Sequence, residues 1–278
     1  MIIAAAVMST LQFIFNMEYQ KRCGISWTAS LFFSICTSAV AAVYILVLNR
    51  FHLEWSWFSF TVALIGGALS IVYNYASIKA FSMANLAVYS MFAMLGSMLL
   101  PTLFGIIYRK ETFTWFNLLC VLLIAIALVL SVAGERNVKR GWVYYVLVFI
   151  LEGAVGVLAI LHQSNAGQCV DSQSYVVWIF LSSLVIGIFL QLGRKKKVVI
   201  PDRKAILYAA AYAVVGSTGY LFTIIALMHL PASVQYPVIT GGTVFFSALV
   251  SVLRKEKFRV QIFVGTVLAL ISTILIIL

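Results

Sequence analysis

The sequence predicts an all-α polytopic membrane protein of about ten transmembrane helices, arranged as two inverted five-helix repeats around a central cavity. Three observations predict it. The 278 residues are 63% hydrophobic and only 10% charged, with a mean hydropathy of +1.07. Apolar runs long enough to cross a bilayer recur along the whole chain. A charged cluster also repeats at a fixed offset, inside a frame of matching aromatic and glycine positions.

The composition excludes whole classes of function. Soluble domains average roughly 45–50% apolar and about 25% charged residues, so this chain has too little polar surface to stay in water. Intrinsic disorder, coiled coils and nucleic-acid-binding modules fall to the same arithmetic. The net charge of +11 is no nucleic-acid signature. Its 19 Lys and Arg sit in short stretches between apolar runs, where they orient membrane proteins. The lipid bilayer is therefore the expected partner, and nucleic acid is not. The four cysteines, Cys23, Cys36, Cys120 and Cys169, form no CxxC pair, disulfide framework or zinc site. Met1 opens on an apolar run without a basic segment, so no cleaved signal peptide is expected. An ATP-binding signature is missing too, and no cofactor is expected.

A membrane helix needs about 20 mainly apolar residues. Ten such runs are read, at 1–19, 26–49, 57–79, 84–108, 113–133, 142–163, 173–193, 204–229, 231–253 and 258–278. The first closes early because of Glu18, Lys21 and Arg22. The longest polar stretch is 193–204, GRKKKVVIPDRK. Strand-type alternation is missing, which argues against a transmembrane barrel.

The repeat has an offset of 145 residues. Arg109-Lys110-Glu111-Thr112-Phe113 aligns with Arg254-Lys255-Glu256-Lys257-Phe258, Tyr75 with Tyr220, Ala87 with Ala232 and Gly96 with Gly241. Residues 75–130 and 220–275 share 11 identities over 56 positions. The expected organisation is a first repeat over 1–133, a linker at 134–141 and a second repeat over 142–278, together one membrane domain. Five spans is an odd number, so the second copy enters the membrane from the opposite side. Inverted repeats of this kind let two halves rock around a midplane site in secondary transporters.

The second copy resembles the EamA-like branch of the drug/metabolite transporter superfamily. The resemblance runs through Tyr220, Ala226-Leu227, Pro231-Ala232-Ser233, Pro237 and Glu256, and in the first copy through Tyr75, Ala80-Phe81, Ala84, Ala87 and Glu111. It implies ten helices in two inverted halves, a central cavity and transport of small metabolites, amino acids or drugs. The chain departs from the pattern at Phe92, the counterpart of Pro237, and at Lys110 and Lys255, where glycine is common.

Orientation has two readings. Loops after odd-numbered spans carry 16 Lys and Arg, those after even-numbered spans 3. The positive-inside rule then puts the odd loops in the cytoplasm and both termini outside. The family resemblance implies both termini inside. An integral protein of a bacterial plasma membrane is expected.

Of eight acids, only Glu152 falls near the middle of a run. An ionised carboxylate at that depth costs at least ~2.5 kcal/mol, so such a group faces the bundle interior and binds a cation or trades a proton. Glu152 is the expected coupling and substrate-binding residue; the bland alternative is a protonated acid bonded to a neighbouring helix. Gly153 and Gly156 beside it allow a helix or ligand to come close. Lys79 either reaches for the interface or partners an anionic substrate or Glu152. Further substrate-binding candidates are Asn74, Tyr75, Tyr89, Tyr220, Gln235, Tyr236 and Thr240. They belong to a wider polar set in the third, fourth, eighth and ninth runs that includes Tyr73, Ser77, Ser90, Ser217, Thr218 and Thr223. A solute stripped of water needs such groups, although each could also bond helix to helix. Pro101, Pro231, Pro237 and Gly241-Gly242 are candidate hinges. The repeated loop clusters read as helix ends.

The function expected is alternating-access secondary transport of a small organic metabolite or drug-like solute, with proton coupling at Glu152. The competing classes are a membrane-embedded enzyme and a lipid carrier. No HExxH motif or Asp/His cluster at metal spacing supports an enzyme or a metal site, and His52, His162 and His229 lie near span ends. The partners expected are a small-molecule substrate and the bilayer, with homodimerisation left open.

Overall fold

The computed structural model describes residues 1–83, 86–110, 141–193 and 201–254, with scattered positions in 114–129 and 264–271. Among them are eight long helices: α1 (Ile2–Cys23), α2 (Trp27–Leu48), α3 (Trp57–Phe81), α4 (Leu86–Tyr108), α5 (Trp142–Ser164), α6 (Ser172–Leu192), α7 (Arg203–Ala226) and α8 (Ala232–Leu253). Each is long and apolar enough to cross a membrane. They match eight of the ten expected runs. The runs at 113–133 and 258–278, the linker at 134–141, Glu111 and Glu256 lie wholly or largely outside the described residues.

Helix starts follow the local chemistry. Ser26, Ser56, Asp171 and Asp202 each cap a helix, the side chain accepting from the backbone N–H three residues on. That satisfies one of the orphan donors of a first turn. Pro231 caps α8, where its missing N–H costs nothing, so it starts a helix and breaks none. Pro101 and Pro237 lie inside α4 and α8. α1 runs past the expected stop at residue 19 because its charges find partners on neighbouring helix ends. Glu18 accepts from Arg254 at 2.7 Å and from Lys21 at 3.2 Å, and Arg22 meets Asp202 at 3.0 Å. Gly24 ends α1 at φ 74°, a conformation that costs a glycine little.

The helices interleave. α1 packs on α7 and α8, α2 on α6 and α7, α3 on α5 and α6, and α4 on α5 and α8. Exchanging α1–α4 for α5–α8, in order, maps this set of pairings onto itself. At the α2–α6 contact the hydroxyl of Ser38 donates to that of Ser183 at 3.0 Å. These two residues are 145 positions apart, the offset of the repeat expected from the sequence.

Two kinds of contact hold the bundle. Glycines allow close crossings: a Cβ on Gly153 of α5 would lie 2.6 Å from the Gly96 carbonyl oxygen of α4, and one on Gly242 of α8 would lie 2.9 Å from the Ala6 Cβ of α1. Small hydroxyls and amides bond helix to helix, as expected where lipid offers no hydrophobic drive for association. Thr243 donates to Ala6 O and Thr10 to Thr243 O, both at 3.3 Å, and Asn74 donates to Ser34 at 3.0 Å. Large apolar side chains such as Phe189 and Ile107 stay exposed on the outside, the surface a bilayer covers.

Candidate functional site: a mid-membrane cavity

All eight described helices contribute to one central cavity of about 160 Å³. The first four helices supply lining residues: Ser9 and Gln12 from α1, Thr37 from α2, Tyr73 and Asn74 from α3, Ser97 from α4. The second half supplies Glu152, Phe180, Tyr212, Tyr220 and Tyr236. Glu152 sits halfway along α5 and is half-buried. Its side chain lines the cavity, and it is the one formally charged lining residue among those described.

The surroundings of Glu152 are phenolic. The Tyr73 hydroxyl comes within reach of its carboxylate, and Tyr89, Tyr212 and Tyr220 are its other ionisable neighbours. Behind Tyr73 runs a buried chain. Tyr73 and Tyr89 share a hydrogen bond at 2.8 Å, Tyr89 and Ser77 one at 2.7 Å, and Asn16 donates to Ser77 at 2.8 Å. An amide nitrogen can only donate. If the hydroxyls pass their protons on in turn, the chain aims the Tyr73 proton at the cavity side. On α8, the Tyr236 hydroxyl donates to Gly156 O at 3.2 Å, which fixes its ring beside α5. Tyr175 lies near enough to Tyr220 to interact electrostatically, but the two form no well-aligned hydrogen bond.

The sequence candidates divide into two groups. Glu152, Asn74, Tyr220 and Tyr236 come together at the cavity. Tyr89, Gln235 and Thr240 are buried behind it: Tyr89 in the chain above, Gln235 donating to Thr223 O at 2.7 Å, Thr240 donating to Met94 O at 3.2 Å. Tyr75 packs against Trp27 with ring centroids 4.7 Å apart, away from the cavity. Lys79 ends α3 with its ammonium 5.7 Å from the Tyr75 ring, so it has no place beside Glu152. Gln12, Thr37 and Tyr212 were not singled out from sequence.

Two polar clusters lie away from the cavity, where the α2–α3 connection meets the α5–α6 connection. Buried His162 Nε2 shares a hydrogen bond with the Ser59 hydroxyl at 3.0 Å, while Ser59 accepts from Val170 N–H. His162 Nδ1 has no hydrogen-bond partner, so no third group orients the ring as a catalytic triad requires. In the other cluster Glu54 accepts from Asp171 N–H at 2.9 Å, and Trp178 donates to Glu54 O at 2.8 Å. Both clusters tie the two connections together.

Residues 139–278 match the model of the EamA-like transporter family. The chain belongs to the EamA-like transporter family. That family is part of the drug/metabolite transporter superfamily and is not a family of enzymes. No curated protein matches the chain in sequence. A solved crystal structure, described simply as that of a protein, is similar in fold with a TM-score of 0.71 at 15% identity. The match covers 98% of this chain and 95% of that one. This EamA-like transporter therefore shares its fold with a known structure over nearly its whole length.

Proposed function

We propose that the chain is a secondary transporter. It moves a small organic solute by alternating access between two inverted five-span halves, and Glu152 exchanges a proton during the cycle. The observation that carries this reading is the position of the cavity. It is lined by all eight described helices, and among the described residues Glu152 is its lone carboxylate, a group able to bind a cation or a proton in turn. The helix pairings support the inverted plan, because they survive exchange of the halves. The Ser38–Ser183 contact between repeat mates supports it again. Rocking two such halves against each other is how related architectures expose one site to either side.

The test is solute uptake into proteoliposomes under an imposed proton gradient. Wild-type protein is expected to accumulate solute in response to the gradient. Glu152→Gln is expected to melt like wild type and lose the response. Gradient-driven uptake by Glu152→Gln at the wild-type rate contradicts the role given to Glu152.

A further inference from the structure

We infer that the cavity selects a small organic monocation, an amine or ammonium with no negatively charged group, of about the size of benzylammonium. The inference rests on the transport reading above and adds the chemistry of the solute.

Charge comes first. Glu152 is the only formally charged side chain lining the cavity among the described residues, and no Lys, Arg or His joins it. Among the described basic side chains, Lys79 stands over Tyr75, Arg22 on Asp202 and Arg254 on Glu18, each at a helix end. The starts of α2, α3, α6 and α7 are each closed by their own cap side chain. A carboxylate or phosphate on the solute would meet no cation and would face Glu152 in a medium that screens charge poorly. Zwitterionic amino acids are excluded on the same ground. The repeat sets the stoichiometry: the mate of Glu152, 145 positions earlier, is Val7. Among the described residues one carboxylate serves the cavity and balances one positive charge.

Size and lining complete the specification. A cavity of about 160 Å³ is comparable to the roughly 150 Å³ that holds a benzene molecule. Tyr73, Tyr212, Tyr220 and Phe180 contribute aromatic rings to its wall, and ring faces attract a desolvated ammonium.

Four probes of matched size test this: benzylammonium, benzyl alcohol, benzoate and zwitterionic phenylglycine. Binding to the purified full chain is measured calorimetrically, and exchange of each probe is measured in proteoliposomes. Benzylammonium is expected to bind at least about tenfold more tightly than benzyl alcohol, because Glu152 offers the ammonium a charge-assisted hydrogen bond that the alcohol cannot match. Benzoate and phenylglycine are expected not to bind. Glu152→Gln should bring benzylammonium to within about threefold of benzyl alcohol. Glu152→Asp, which keeps the charge, should retain the preference and serves if Glu152→Gln does not fold. Binding of benzoate, phenylglycine or benzyl alcohol as tightly as benzylammonium overturns the inference, as does failure of benzylammonium to bind. The two readings fail separately: exchange of benzoate contradicts the solute class alone, whereas tight benzylammonium binding without any exchange contradicts the transport reading alone.

Discussion

Gly153→Ala tests the crossing that places Glu152. The added Cβ would lie 2.6 Å from the Gly96 carbonyl oxygen and 2.5 Å from Leu100 Cδ1, where ordinary contact begins at 3.4 Å. The leucine tip can swing aside; the carbonyl belongs to the α4 backbone and cannot. Relief therefore requires α4 and α5 to separate by about 0.8 Å. Gly66→Ala is the control, because its Cβ would meet only side-chain atoms at 3.6 Å or more. Both changes gain the same helix propensity, about 1 kcal/mol, so that term cancels between them. What remains is the overpacking cost, about 1–3 kcal/mol. At roughly 2–4 °C per kcal/mol for a chain near this size, Gly153→Ala should melt about 2–12 °C below Gly66→Ala. The assay is thermal unfolding of the two purified variants in one detergent. Benzylammonium binding should weaken in Gly153→Ala, since Glu152 is its chain neighbour. Equal melting temperatures would refute the close crossing and, with it, the placement of Glu152.

Three further outcomes are expected. Tyr89→Phe keeps the ring contacts to Phe81 and Phe13 but strips the hydrogen bonds of buried Tyr73 and Ser77; it should cost about 1–3 kcal/mol, while Tyr75→Phe stays within about 0.5 kcal/mol, both read by thermal unfolding. Ser38→Ala and Ser183→Ala should be non-additive, with a double-mutant coupling of about 0.5–1.5 kcal/mol, because each removes the same bond; additive effects would remove that contact between repeat mates. Cys169 lies in the α5–α6 connection, where burial raises its thiol above the usual range and nearby Glu54 adds to the rise. Less thiolate is then present at any given pH, so its maleimide labelling should be slow at pH 7 and still accelerate at a pH where an exposed thiol has levelled off. Labelling from outside intact cells places this face outside, as the charge count expects.

Eight helices were legible in the sequence because length and continuous apolarity are enough to mark a span. The end of α1 was not, since Glu18 and Arg22 look like a stop until Arg254 and Asp202 are brought beside them. Glu152 was legible as the one acid in mid-span, a position whose cost demands an explanation. Asn74, Tyr220 and Tyr236 were legible as members of a polar set in the third, eighth and ninth runs. Gln12, Thr37 and Tyr212 were not, because α1, α2 and α7 carry apolar residues all round, so the lipid face and the cavity face look alike. Tyr89, Gln235 and Thr240 carry the opposite lesson. A hydroxyl or amide in a span can bond another helix or face a solute, and only the packing shows which.

Access to Ser97 from both sides of the membrane tests the central claim most directly. Ser97 lines the cavity from α4, and Ser97→Cys in a background without other cysteines places one thiol there. The protein is reconstituted in one orientation, and a small impermeant methanethiosulfonate ammonium reagent is supplied first from one side and then, in a separate preparation, from the other. Alternating access predicts reaction from either side, slowed in both cases by saturating benzylammonium. Reaction from one side only, whatever the conditions, would mean a static pocket and would contradict the account.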